Sequence, residues 1–223
     1  MGLGVGLSWQ GGGGPGECPG GGPRSQASLL VVPTLIPFLL LQSPIGCPSW
    51  VEIPMDVLSE LAKAGKGCRA DGSDCLPTIV CNPDCATPSA PGGGVPAGET
   101  GWQTPFACPV IQLCIGSQTA PWPPEMLRIV LLHEAVHVSQ LCKCKPFELG
   151  TLEACLQSIC MEIRAYERFP MPSRRPLCEV VCASAQTACG SHGFDCRSAC
   201  EAALAGNWCN ELGCLRPGWR LLR

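Results

Sequence analysis

The chain has 223 residues, a formal net charge of −3, 15% charged and only 5% aromatic side chains, yet 19 cysteines. Its slight acidity and the lack of a basic stripe exclude a nucleic-acid-binding role, and charge singles out no other partner. Cysteine at about 8.5% is near the level of a disulfide scaffold. No two cysteines are spaced C-x-x-C, which disfavours zinc ribbons and thioredoxin-like redox chemistry. Disulfides persist in oxidising surroundings, so the expected location is secreted, periplasmic or at the cell surface.

In chain order, residues 1–46 read as a leader. The apolar stretch 28–41 is too short to cross a bilayer comfortably and contains Pro33 and Pro37, which fits the h-region of a signal peptide. The glycine-rich start is unusual for a signal, since no basic residue precedes Arg24. Cleavage between about Ser43 and Gly46 leaves a single domain's worth of chain, about 177 residues, with an even number of cysteines. Pro44-Ile45-Gly46-Cys47 also resembles a lipoprotein cleavage box. A lipid anchor at Cys47 would strand one thiol, so cysteine parity favours a soluble secreted protein.

Pro54 to Ala64 reads as a short helix closed by Gly65. Cys68 to Cys85 reads as a loop, and 87–101 (TPSAPGGGVPAGETG) as a flexible connector. Phe106 to Ile115, partly β-branched and bounded by Pro105 and Gly116, predicts a strand. Pro123 and Pro124 then suit the first turn of a helix running to about Leu141. That helix carries His133-Glu134-Ala135-Val136-His137 between apolar neighbours. Positions i and i+4 share a helix face, so both imidazoles reach one metal ion with Glu134 beside its open position. Catalytic zinc keeps that position open and lowers the pKa of a bound water to about 7, and Glu134 is placed to take the proton.

HEAVH with apolar flanks resembles the zincin metallopeptidases, over about residues 108–169. The resemblance implies one catalytic Zn2+, peptide or protein substrates, a strand bordering the cleft, and a third ligand downstream. A third His at short distance is absent after His137, unlike the metzincin group, and Gly150-Thr151-Leu152-Glu153 only echoes the group that uses Asp. Glu162-Ile163-Arg164-Ala165-Tyr166 resembles the Glu-x-x-Ala segment of the gluzincins, which makes Glu162 the expected third ligand, with Glu153 and Glu167 as competitors. It sits in an amphipathic helix from about Thr151 to Arg168, apolar at Leu152, Cys155, Leu156, Ile159 and Ile163 and ended by Pro170. Tyr166 departs from the acidic residue many gluzincins carry, leaving it to support a ligand, donate to a transition state, or pack.

Beyond Pro170, Pro176 to Cys189 and Asp195 to Ala205 predict two helices, with His192 exposed in the loop between them. Cys178 and Cys182 share a face, as do Cys196 and Cys200; in a hairpin Cys182 meets Cys196 and Cys178 meets Cys200. The expected fold is therefore mainly α, an α+β chain with a small β element. It comprises a disulfide-rich zincin-like core over 47–169 and a stapled helical hairpin with tail over 170–223. The expected function is a secreted zinc metallopeptidase. Its rivals are a non-catalytic cysteine-rich binding module and an effector or toxin protease of narrow specificity.

Overall fold

A computed structural model describes residues 44–69, 71–82, 97–101, 108–115, 122–144, 147, 148, 150–170, 175–185, 188, 189 and 193–217. The stretch 28–41 and His192 lie outside them. The elements are α1 (Met55–Ala64), β1 (Thr78–Asn82), β2 (Ala97–Gly101), β3 (Val110–Cys114), α2 (Pro124–Lys143), α3 (Leu152–Arg168), α4 (Leu177–Ser184) and α5 (Cys196–Ala205). About half of the described residues are helical, and with one small sheet this agrees with an α+β chain. No helix among the described residues is long and apolar enough to cross a membrane.

Val110, Ile111 and Leu113 are fully buried, and the strand they define is the centre of the sheet, in the order β1-β3-β2. It pairs in parallel with β1, from Thr78↔Val110 to Asn82↔Cys114, and antiparallel with β2, from Ala97↔Cys114 to Gly101↔Val110. A near-continuous apolar run suits such a doubly flanked position. This corrects the expectation that the strand before α2 borders the cleft, because the backbone groups of β3 are spent on both neighbours. The edge strand is β2, drawn from the end of the segment read as a connector. Ala-Gly-Glu-Thr-Gly has little intrinsic strand preference, and the ladder with β3 supplies what propensity does not.

The opposite edge is covered by the incoming chain. Ile45 N–H donates to the Ile79 carbonyl and Cys81 N–H to the Ile45 carbonyl, both at 2.9 Å, and the Cys47–Cys81 disulfide pins this contact. The Cys47 sulfur is thereby paired with Cys81.

Two apolar cores flank the centre of the molecule. The first packs α1, through Val57 and Leu61, and α2, through Leu127, Val130 and Leu131, against Ile111 and Leu113 of the sheet. The second gathers Leu156, Ile159 and Ile163 of α3 with Val181 of α4 and Ala203 of α5. Thr151 caps α3 by accepting from Ala154 N–H (3.1 Å), and Asp195 caps α5 by accepting from Ser198 N–H (3.2 Å). Of the helix expected up to Cys189, α4 ends at Ser184, with Ala185 N–H bonded to the Val181 carbonyl, and Ala188 and Cys189 are again helical, both bonding the Ala185 carbonyl. The hairpin of α4 and α5 is closed by Cys178–Cys200 and Cys182–Cys196, the partners that the matched spacing pairs.

Further disulfides are Cys68–Cys142, Cys75–Cys108, Cys144–Cys214, Cys155–Cys189 and Cys160–Cys209, and Cys114 is also disulfide-bonded. This density of cross-links indicates an oxidising, extracellular-type location.

Candidate metal centre

Helix α2 is buried nearly all round from Val130 to Val138, and α3 from Ala154 to Ile163, so the contact between them lies deep in the protein. Polar side chains in such a place must satisfy one another. His133 and His137, one turn apart, bring their Nε2 atoms to 3.2 Å with ring centroids 4.9 Å apart. The Glu162 carboxylate spans the pair, Oε2 lying 3.5 Å from His133 Nε2 and Oε1 3.5 Å from His137 Nε2. All three residues are at most 5% exposed. Glu153 and Glu167 are exposed, and Glu167 pairs with Arg164 at 3.4 Å, so Glu162 alone of the three acidic candidates joins the histidines.

His133, His137 and Glu162 form a buried group that could hold a metal ion, with one ligand atom from each inside a 4.8 Å span. The spacings fit that use. Two donors about 2.1 Å from a tetrahedral ion stand about 3.4 Å apart, and the contacts here are 3.2 and 3.5 Å. Glu162 Oε2 and His133 Nδ1 are buried and make no hydrogen bond of full geometry among the described residues. A buried carboxylate oxygen without a donor costs about 1–3 kcal/mol or more, which a cation at this point would offset.

The group's electrostatics are those of a cation-seeking site. Burial works against protonated His133, but Glu162, helped by Glu134 and the Phe169 backbone, outweighs it and holds the proton affinity above that of an ordinary imidazole. Burial likewise works against ionised Glu162, and the two imidazoles overcome it, keeping the carboxyl below the usual carboxylate range. A carboxylate thus sits buried beside two ring nitrogens, where positive charge is favoured.

Glu134 is buried but lies outside this donor set. Its Oε2 accepts from the Thr100 hydroxyl at 2.7 Å, and the same hydroxyl lies 3.4 Å from the Glu134 carbonyl. Strand β2 can come this close because Gly98 has no side chain: a Cβ there would stand 2.7–2.9 Å from the end of Glu134. The edge strand therefore fixes the acid whose place on α2 the motif predicts. Tyr166 packs edge-on against His133, with centroids 4.7 Å apart, and its hydroxyl is 3.2 Å from Ser184 Oγ of α4. Burial, with the Glu162 charge, pushes the phenol up to about 12, so it stays protonated at neutral pH. Its contacts are thus the His133 ring and the Ser184 hydroxyl.

Compared with known proteins, the chain matches no family model, no curated protein and no solved structure. The reading of the site rests on its own geometry.

Gln140, Thr100 and Gly98 were not singled out from the sequence. For Gln140 a signal existed, because i+3 from His137 places it on the ligand face. Thr100 and Gly98 carry no local signal, since their contact with Glu134 spans some 34 positions.

Proposed function

We propose that the protein is an extracytoplasmic zinc-dependent metallopeptidase that hydrolyses peptide bonds. The observation that carries this reading is the convergence of His133, His137 and Glu162 beside a fourth buried group, Glu134, that is not one of the donors. Two imidazoles and a carboxylate form a donor set suited to zinc, and three protein ligands leave room for reacting groups. When bound, zinc supplies Lewis acidity toward the scissile carbonyl and toward water. Glu134 takes the proton of the attacking water and returns it to the leaving amine, while the Thr100 hydroxyl, bonded to its Oε2 at 2.7 Å, restricts the carboxylate. Tyr166 and the α2–α3 packing hold His133 in place and keep bulk water out.

Glu134→Gln keeps the shape of the side chain and removes the base. The expected result is one bound zinc per chain, as in the parent, with hydrolysis of a peptide library reduced by at least about 100-fold. Retention of full hydrolytic activity would overturn the assignment of Glu134. The nearly complete burial of the donors favours one second reading, a cysteine-rich module in which the metal only joins α2 to α3. In that case the parent binds zinc, hydrolyses nothing across the library, and loses its fold on chelation.

A further inference from the structure

A histidine can bind a metal through Nε2 only if its single neutral-state proton resides on Nδ1, and the surroundings of His137 decide that question. His137 Nδ1 is 2.8 Å from Gln140 Oε1. Taken alone, that contact permits either a carbonyl oxygen or a flipped amide nitrogen in the facing position. The other end of the side chain removes the choice. Gln140 Nε2 lies 3.1 Å from the Met161 carbonyl and 3.0 Å from the Leu212 carbonyl, and carbonyls only accept. Both amide protons are thereby spent, Oε1 must face His137, and Nδ1 must donate to it. The Nε2 lone pair is left pointing at His133 and Glu162.

The Gln140 amide is itself held from outside the donor set. It is completely buried, and Gly213, at φ +89°, lies directly beneath it: a Cβ there would collide with Gln140 Nε2. Leu212 and Gly213 belong to a turn organised by Asn210, whose Oδ1 accepts from Leu212 N–H and Cys214 N–H at 2.9 Å each. Gln157 Oε1 accepts from Leu215 N–H at 2.8 Å, and Cys160–Cys209 and Cys144–Cys214 fasten the ends of the turn.

We propose that Gln140 is the positioning residue of the metal centre: it fixes the metal-competent tautomer of His137 and is in turn oriented by the cross-linked turn 209–215. The proposal rests on reading His133, His137 and Glu162 as metal ligands. Outer-shell partners of ligating histidines typically contribute 10–100-fold to metal affinity. Here that contribution comes from a turn 72 positions along the chain from Gln140.

The test uses the full oxidised chain, its Gln140→Met variant, which keeps length without hydrogen bonds, and Gln140→Glu, which keeps an acceptor toward Nδ1. Two quantities are read: Co2+ affinity by competition with a chromophoric chelator, and the ring 15N shifts of His137 in the metal-free protein. Gln140→Met should weaken Co2+ binding about 10–100-fold and mix the two tautomers. Gln140→Glu, in its neutral form, can still accept from Nδ1 while its one O–H meets one of the two carbonyls; it should keep the Nδ1–H tautomer with an affinity between those of Gln140→Met and the parent, which simple loss of packing would not allow. If Gln140→Met fails to form its disulfides, Gln140→Glu carries the test alone, since loss of the tautomer there overturns the proposal. Affinity within about twofold of the parent in Gln140→Met, with the tautomer unchanged, also overturns it. A parent that binds no Co2+ while its His137 tautomer still depends on Gln140 overturns the metal reading instead.

Discussion

The region from Cys47 to Cys142 and the region from Cys144 to Cys214 solve the same problem differently. The first buries aliphatic side chains between a sheet and two helices, and its described disulfides, Cys47–Cys81, Cys68–Cys142 and Cys75–Cys108, tie loops and edges to that core. In the second, cystine is the core: Cys155, Cys178, Cys189 and Cys200 are buried among Leu156, Ile159 and Val181, and short helices are stitched to α3 and to each other. None of the described disulfides joins one region to the other. The candidate metal centre spans their boundary, with two histidines from one side and Glu162 from the other. Where covalent cross-links stop, the polar cluster and the Gln140 contacts take over.

The sharpest way to break this comparison is to remove the single donor of the second region. Glu162→Ala should lose zinc binding by at least about 100-fold, from loss of one of three ligands, while Glu153→Ala should bind as the parent does; equilibrium dialysis with metal analysis separates them. Next come the two kinds of core. Replacing Cys155 and Cys189 together by Ala should cost about 2–5 kcal/mol. Leu131→Ala in the first core should also cost about 2–5 kcal/mol, through a cavity instead. Hydrogen exchange should locate the first loss in α3–α5 and the second in α1, α2 and β3; uniform loss of protection in both would mean that the regions are not energetically separate. The smallest effect is at a helix start. Thr151→Ala should cost about 1 kcal/mol, read as a lower melting temperature with metal content unchanged.

Much of the candidate site is written locally. His133, Glu134 and His137 are set by helical period alone, and Glu162 stands on a helix whose apolar stripe and Thr151 cap are visible in its own residues. The α4–α5 cross-links are equally local, since two i,i+4 cysteine pairs facing each other in a hairpin allow few pairings. Strand β2 is not legible, because its five small and polar residues become a strand only by pairing with β3. The role of Gln140 is hidden for the same reason: its donors are spent on carbonyls 21 and 72 positions away. The remaining disulfides join elements whose relative placement no spacing encodes.

Lys143 follows from the two separate sets of cross-links. It is exposed at the end of α2, between Cys142 and Cys144, and its Nζ bonds Ser139 Oγ at 3.2 Å. A break in the backbone anywhere else between Cys47 and Cys214 leaves the pieces tied by at least one described disulfide. Scission beside Lys143 alone yields two covalently independent chains, with His133 and His137 on one and Glu162 on the other. In a protease-rich exterior this one basic residue is where a trypsin-like enzyme could divide the molecule in two, and a non-reducing gel would report it.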